Sequence, residues 1–168
     1  MVFTLQELLL KITIMKNNSD ILDILNDLLK INNDRVAGYN KAIEETDEED
    51  LRAIFQRMAN QSRKIAMELI DEITSLGGEP ATDSTTNPGK IYRVWMDVKA
   101  TFNGKDREGV LNACEFGEDA AQSAYKTALE NDELPSNLRE TVWRQKDELK
   151  DSHDEIKEKR DQVRYINL

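Results

Sequence analysis

Apolar residues recur every three or four positions through most of this 168-residue chain, which is the spacing of one face of an α-helix. Four long segments show this spacing, over residues 19–46, 51–76, 106–131 and 135–163. No stretch of any length alternates apolar and polar residues as a half-buried strand would. The fold class is therefore predicted to be all-α.

Local signals predict where these helices begin and end. Thr46 followed by Glu49 predicts a capping box that opens the second helix. Gly77-Gly78 predicts the end of that helix. Residues 87–88 are Asn-Pro, a typical helix start, and predict a short helix that ends near residue 103. A proline at the end of the next turn opens the last long helix.

The lengths of the connections predict how the helices are joined. The first and second helices, and the third and fourth, are separated by a few residues, so each pair is expected to form an antiparallel hairpin. About 27 residues, 79–105, separate the second helix from the third. That connection can climb a helix of about 40 Å, at about 1.5 Å per residue. Two antiparallel hairpins joined by a long crossover, here containing a short helix, form a ferritin-like four-helix bundle.

The first 18 residues stand apart from this pattern. Residues 1–14 contain a short apolar patch but lack the basic start and the small-residue cleavage site of a signal peptide. We interpret the first 18 residues either as an extension outside the domain or as a short extra helix laid on the bundle, with the domain itself at residues 19–168. No segment approaches the roughly 20 apolar residues of a membrane helix, so no membrane partner is expected.

Charge and composition exclude several classes of partner and of metal site. The net charge is -10, and residues 19–168 carry -11 because the first 18 hold only Glu7, Lys11 and Lys16. An acidic surface of this kind disfavours nucleic acid as a partner. One Cys excludes an intramolecular disulfide and suits a reducing compartment, so a cytoplasmic location is expected. One His excludes every metal site that needs two from the same chain.

Polar residues interrupt the apolar face near the middle of each long helix, where a bundle built only for stability would stay apolar. The third helix carries Glu118, with Glu115 one turn away, and His153 lies at the border of the fourth helix's inward face. The remaining interruptions are Asn32, Ser62, Gln145 and Ser152. Counting back from the turn between the third and fourth helices places Cys114 level with His153. We expect a hydrogen-bonded central polar layer that fixes the helix register.

Metal binding is the alternative interpretation of this layer, because ferritin-like bundles hold metal in the same zone. Glu115, Glu118 and His153 would then bind a single divalent ion such as iron, manganese or zinc. The Glu-x-x-His pairs of a di-iron site do not occur in the sequence. A third interpretation is a reactive thiol at Cys114, against that of a buried structural cysteine.

The segment from Leu25 to Arg35, followed by Gly38-Tyr39, resembles the first helix of a bacterial family of ferritin-like four-helix-bundle proteins described as a domain of unknown function. The motifs that fit the same family are Gln61-Ser62-Arg63, Arg93-Val94-Trp95-Met96, Cys114-Glu115-Phe116-Gly117-Glu118-Asp119 with Tyr125, and His153-Asp154. The resemblance extends over residues 19–165. It implies a ferritin-like fold and supplies no established activity.

We therefore expect a protein that is not an enzyme, uses no cofactor and acts by self-association, most simply as a dimer, or by binding a partner, in a stress response. The expected interface is the crossover, where Tyr92, Trp95 and Phe102 would leave an apolar edge exposed.

Overall fold

A computed structural model describes residues 3–83 and 106–166 of the chain. These residues form four helices: α1 (Leu5–Glu45), α2 (Glu49–Ser75), α3 (Arg107–Leu129) and α4 (Ser136–Ile166). Within the described ranges no residue is in a strand, which confirms the all-α prediction. The predicted short crossover helix and its three aromatic residues lie outside the described residues.

α1 is 41 residues long and begins well before the predicted start of the first helix. Thr4 caps it in a capping box: its Oγ1 accepts from the Glu7 amide at 3.2 Å, and the Glu7 carboxylate accepts from the Thr4 amide at 2.8 Å. The sequence has no Gly or Pro before Gly38, so nothing interrupts the helical hydrogen bonds. Residues 5–18 are thus the first turns of α1, and the interpretation of a separate short helix laid on the bundle is corrected.

The turn between α1 and α2 also differs from its prediction. Thr46 ends α1, with its amide bonded to the Ala42 carbonyl at 3.2 Å, and its hydroxyl accepts from the Glu48 amide at 3.2 Å. Glu48 is the N-cap of α2 and makes no side-chain cap bond. The predicted capping box at Thr46 and Glu49 is therefore wrong, because the Thr46 side chain bonds within the three-residue turn.

The directions of the helices follow from their side-chain contacts. Asn32 contacts Tyr125 whereas Tyr39, two turns later, contacts Glu118, so α1 and α3 are antiparallel. Arg57 contacts Glu155 and, three turns on, Glu68 contacts Arg144, so α2 and α4 are antiparallel. Each hairpin is antiparallel as well. Arg35 contacts Ser62 whereas Ile43, two turns later, contacts Arg52, and Glu108 contacts Arg164 whereas Asp119, three turns later, contacts His153. α2 and α3 are consequently parallel, as the long connection predicts.

Two apolar clusters fill the interior. One surrounds Leu25, Leu69 and Leu149, and the other surrounds Phe55, Leu111 and Ile156. All four helices contribute to each cluster. Along α2 and α4 the buried Ser62 and Ser152 lie between the two clusters, whereas Gln145 lies among residues of the first cluster and Glu118 among those of the second. No helix in the described part of the chain is long and apolar enough to cross a membrane.

Gly77-Gly78 ends α2 as predicted. Gly77 has φ of 76°, in the left-handed region where a side chain is strained, and an added Cβ there would meet nothing within 4 Å. Its amide bonds the Thr74 carbonyl at 3.0 Å, and the Gly78 amide bonds that of Ile73 at 2.9 Å. The role of Gly77 is therefore conformational and not a matter of space.

Replacing Gly77 by Ala should lower the free energy of unfolding by about 1–2 kcal/mol, because an alanine is strained at positive φ. Gly77→Asn is the matched control, since asparagine tolerates this region better, and it should cost clearly less. Urea unfolding followed by circular dichroism measures both. An equal cost for the two variants would contradict the conformational explanation.

Candidate functional site: a buried ion pair and its hydrogen-bond network

The centre of the molecule is occupied by a fully buried ion pair between Arg35 of α1 and Glu118 of α3. Arg35 Nη2 lies 2.5 Å from Glu118 Oε1. The other terminal nitrogen of Arg35 donates to the Ser62 hydroxyl of α2, and the Tyr39 hydroxyl donates to the same oxygen of Glu118. We call Arg35, Tyr39, Ser62 and Glu118 the Arg35–Glu118 cluster. It ties three helices together through groups that never meet solvent.

The electrostatics of the cluster follow from its burial. Burial disfavours the Arg35 guanidinium, but Glu118 and the neighbouring tyrosines favour it more strongly, so the pKa of Arg35 stays above its ordinary value. Burial, together with Glu118, raises the pKa of Tyr39 well above its ordinary value. At neutral pH Tyr39 is therefore a neutral hydroxyl and acts as a donor to the carboxylate.

A second buried chain of hydrogen bonds crosses the molecule one turn away. Asn32 Nδ2 donates to the Leu28 carbonyl and to the Tyr125 hydroxyl, both at 2.9 Å. Tyr125 donates to Gln145 Oε1 at 3.1 Å, and Gln145 Nε2 donates to Glu68 at 3.1 Å. Burial raises the pKa of Tyr125 above its ordinary value, so this hydroxyl is also protonated. The chain links α1, α3, α4 and α2 in turn.

The second chain reaches the surface at Glu68. Burial acts against the charge of Glu68, but hydrogen bonds from Arg144, at 2.7 Å, and from Gln145 favour it and leave its pKa below the ordinary value. α2 and α4 are joined by a further hydrogen bond, in which the Ser152 hydroxyl of α4 donates to Gln61 Oε1 of α2 at 2.7 Å. The polar interior is therefore a set of hydrogen-bonded pairs and chains, in which Asn32 Oδ1, Arg35 Nε and Glu118 Oε2 are buried without a hydrogen-bond partner among the described residues.

The structure places all four residues of the predicted polar layer in this interior. Asn32, Ser62, Gln145 and Ser152 are buried, and each is hydrogen-bonded. They belong to three separate networks and do not form one ring.

Sequence reasoning missed Arg35, the largest fully buried side chain. The neighbouring Val36, an apolar residue, is only half-buried. Tyr39 and Tyr125 are both buried. Their hydroxyls, which join the networks, were not foreseen. The available signal was the spacing: Arg35 lies three residues after Asn32 and four before Tyr39, on the same helix face.

The three residues of the predicted metal site have other partners. Glu115 is paired with Arg160, and Glu118 with Arg35. His153 contacts Asp119 through Nε2 and Asp154 through Nδ1, each at 2.9 Å. Among residues 3–83 and 106–166, no group of three or more His, Cys, Asp and Glu is placed to hold a metal ion. Metal binding stays a prediction, to which these contacts give no support.

The predicted level of His153 is wrong by more than a turn. His153 contacts Asp119 and not Cys114. The turn between α3 and α4 spans residues 130–135. Each residue of α4 therefore lies beside a residue of α3 that comes later in the sequence than predicted, and the Arg164–Glu108 pair shows the same register.

The thiol of Cys114 is fully buried, and burial, together with Glu118, raises its pKa well above its ordinary value.

The fold and its interior define an all-helical protein whose buried centre is an ion pair. Residues 20–131 match the family described as a domain of unknown function, DUF2383, and the chain belongs to that family. The match contains all four residues of the Arg35–Glu118 cluster, whereas α4 and the first turns of α1 lie outside it. No curated protein matches the sequence.

The ion pair can be tested by a double-mutant cycle. Arg35→Met should lower the free energy of unfolding by about 3–5 kcal/mol, because it leaves the Glu118 carboxylate buried without its charged partner. Arg35→Met combined with Glu118→Gln should cost less than the sum of the single changes, by at least about 1 kcal/mol. Urea unfolding gives all the values.

The exposed Arg57–Glu155 pair is the matched control. Arg57 is 59% exposed, and the same substitutions there should cost less than about 1 kcal/mol each. If the costs of Arg35→Met and Glu118→Gln were additive, the two groups would not depend on each other in the folded protein.

The Cys114 thiol is expected to be unreactive in the folded protein, because the thiolate is disfavoured and the sulfur is covered. Its alkylation by iodoacetamide at pH 8 should be at least about 100-fold slower than in 6 M guanidinium chloride. Mass spectrometry of quenched samples measures both rates. Comparable rates would instead support the reactive-thiol interpretation.

Proposed function

We propose that this protein is a non-catalytic, ferritin-like four-helix bundle that acts by self-association, and that the first turns of α1 are its interface. The ferritin-like assignment is supported by two antiparallel hairpins, by the parallel directions of α2 and α3, and by the long connection over residues 76–106. A cytoplasmic location is part of the proposal and is supported by a single free, buried cysteine.

The interior supports a role other than catalysis. Arg35 neutralises Glu118 inside the molecule, and both side chains are inaccessible to a substrate. Glu115 and His153 are likewise engaged with neighbouring charged side chains. The buried polar groups therefore serve to specify the packing of the helices.

The observation that carries the proposal is the exposed apolar surface of α1. Leu5 is 77% exposed and Met15 is 66% exposed, although both lie within a regular helix. The other exposed apolar residues of the same turns are Phe3, Leu8, Leu9, Leu10, Ile12 and Ile14. We call residues 5–16 the α1 extension. Contiguous apolar surface of this size marks an interaction site.

Charge leaves the α1 extension as a place where a second copy of the chain can bind. Residues 19–168 carry -11, so two copies repel each other over most of their surface. The α1 extension carries only Glu7, Lys11 and Lys16, a net charge of +1, and so lacks the acidity of the rest of the chain. Apolar contact between two copies therefore meets little charge repulsion there.

Light scattering after size-exclusion chromatography, from about 1 to about 100 μM, tests self-association. The wild-type mass should exceed the 19.3 kDa of one chain and fall towards it on dilution. Replacing the seven apolar residues from Leu5 to Met15 by Gln, a good helix former, should give 19.3 kDa throughout.

A variant with Met67→Gln and Trp143→Gln is the control, because both side chains are exposed on the body of the protein. It should associate as the wild type does. A wild-type protein that remains at 19.3 kDa over the whole concentration range would refute the proposal.

A further inference from the structure

The α1 extension has two apolar faces that differ in the spacing of their apolar residues. On one face Leu5, Leu8, Ile12 and Met15 follow each other at spacings of three, four and three residues, the spacing of a coiled-coil seam. We call these four residues the α1 seam. All four are exposed, from 47% at Leu8 to 77% at Leu5.

The opposite face is also exposed, with Phe3 at 52%, Leu10 at 62% and Ile14 at 53%. These three residues line a shallow groove together with Glu7 and Lys11. The Lys11 ammonium lies 5.1 Å from the centre of the Phe3 ring, which is a cation–π contact. Charged side chains interrupt the apolar residues of this face, whereas the α1 seam is apolar at all four positions, so the seam is the face with more to gain from a partner.

The α1 seam is self-complementary when two copies run in opposite directions. Centring the pair on residue 10 sets Leu5 against Met15 and Leu8 against Ile12, and the two-fold axis repeats both layers. The overlap then ends near residue 16. The first buried residue of α1 is Ile21, so the partner's helix fits beside the extension without meeting the buried part of residues 3–83 and 106–166.

A parallel pair is disfavoured on two counts. It would place Lys11 of one helix beside Lys16 of the other twice, at the flanking positions that set coiled-coil orientation, whereas the antiparallel pair brings Lys11 beside its own copy once. It would also bring the two acidic bodies, -11 each, to the same end of the pair. The antiparallel pair puts them at opposite ends, where repulsion is weakest.

We propose that two copies of this chain pair through the α1 seam in antiparallel orientation; this rests on the proposed function and specifies its interface. Covering the seam and the flanking Leu9 in both copies removes on the order of 1,000 Å² from water, the lower limit for a specific interface. A lipid surface is disfavoured because the chain is acidic and the extension has only two cationic residues.

Disulfide trapping tests the orientation. Leu5→Cys and Met15→Cys are made as separate proteins, one carrying a size tag, and are oxidised alone and mixed. The mixture should give at least about ten times more covalent dimer than either variant alone, since only mixed pairs bring the two thiols together. Wild type controls for Cys114, which is buried.

Charge insertion tests which face is used. Leu8→Glu with Ile12→Glu should weaken the dimerisation Kd at least about 100-fold, because it places carboxylates in the seam. Leu10→Glu with Ile14→Glu carries the same residue types on the opposite face of the same turns. This matched control should leave Kd within about threefold of wild type.

The outcomes separate the orientation from self-association itself. Self-disulfides of Leu5→Cys alone, as abundant as the mixed product, would mean a parallel pair and overturn the inference. A wild-type dimer that is weakened only by the Leu10 and Ile14 changes would overturn the seam while leaving self-association intact. A monomer that cosediments with phosphatidylcholine vesicles would overturn both and assign the extension to a lipid surface.

Discussion

The buried contact between Arg35 and Glu118 is the constraint on which the rest of the interior depends. Removing two charges from water is costly, and the cost is recovered only if the partners are held close and hydrogen-bonded. Ser62 and Tyr39 supply those hydrogen bonds from α2 and α1. A shift of α1 along α3 by one residue would break them together, so the contact selects a single register for helices whose apolar clusters alone would tolerate several.

The same contact shapes the functional conclusion. In a ferritin-like bundle the central zone is where carboxylates would meet a metal ion, and here a guanidinium of the chain itself supplies the positive charge to Glu118. The proposed function therefore rests on the surface, where the first turns of α1 expose apolar side chains along a regular helix.

The helices, their directions and the end of α2 at Gly77-Gly78 were predictable, because apolar periodicity and connection length report directly on packing. The burial of Asn32 and Gln145 was predictable for the same reason. The burial of Arg35 was not predictable, because arginine is almost always found at the surface. Its burial depends on the charge of Glu118, which is distant in sequence. The predicted register of α3 against α4 was also wrong. Apolar periodicity indicates which helix face is buried, but it does not give the conformation of the turn that sets the register. The start of α1 was also misplaced. The sequence suggested a boundary near residue 19, but no Gly or Pro breaks the helix there, and α1 begins at Leu5.

The continuity of α1 has a dynamic consequence. An isolated helix of a dozen residues is marginal in water because nucleation is costly, but the packed part of α1 already supplies the nucleus and the α1 extension only propagates from it. The side chains of those turns are exposed, so their amide hydrogen bonds are expected to open locally, at a small fraction of the global unfolding free energy. The α1 extension is therefore helical but opens frequently. A partner surface that covers it should reduce this opening and slow the exchange of its amide hydrogens.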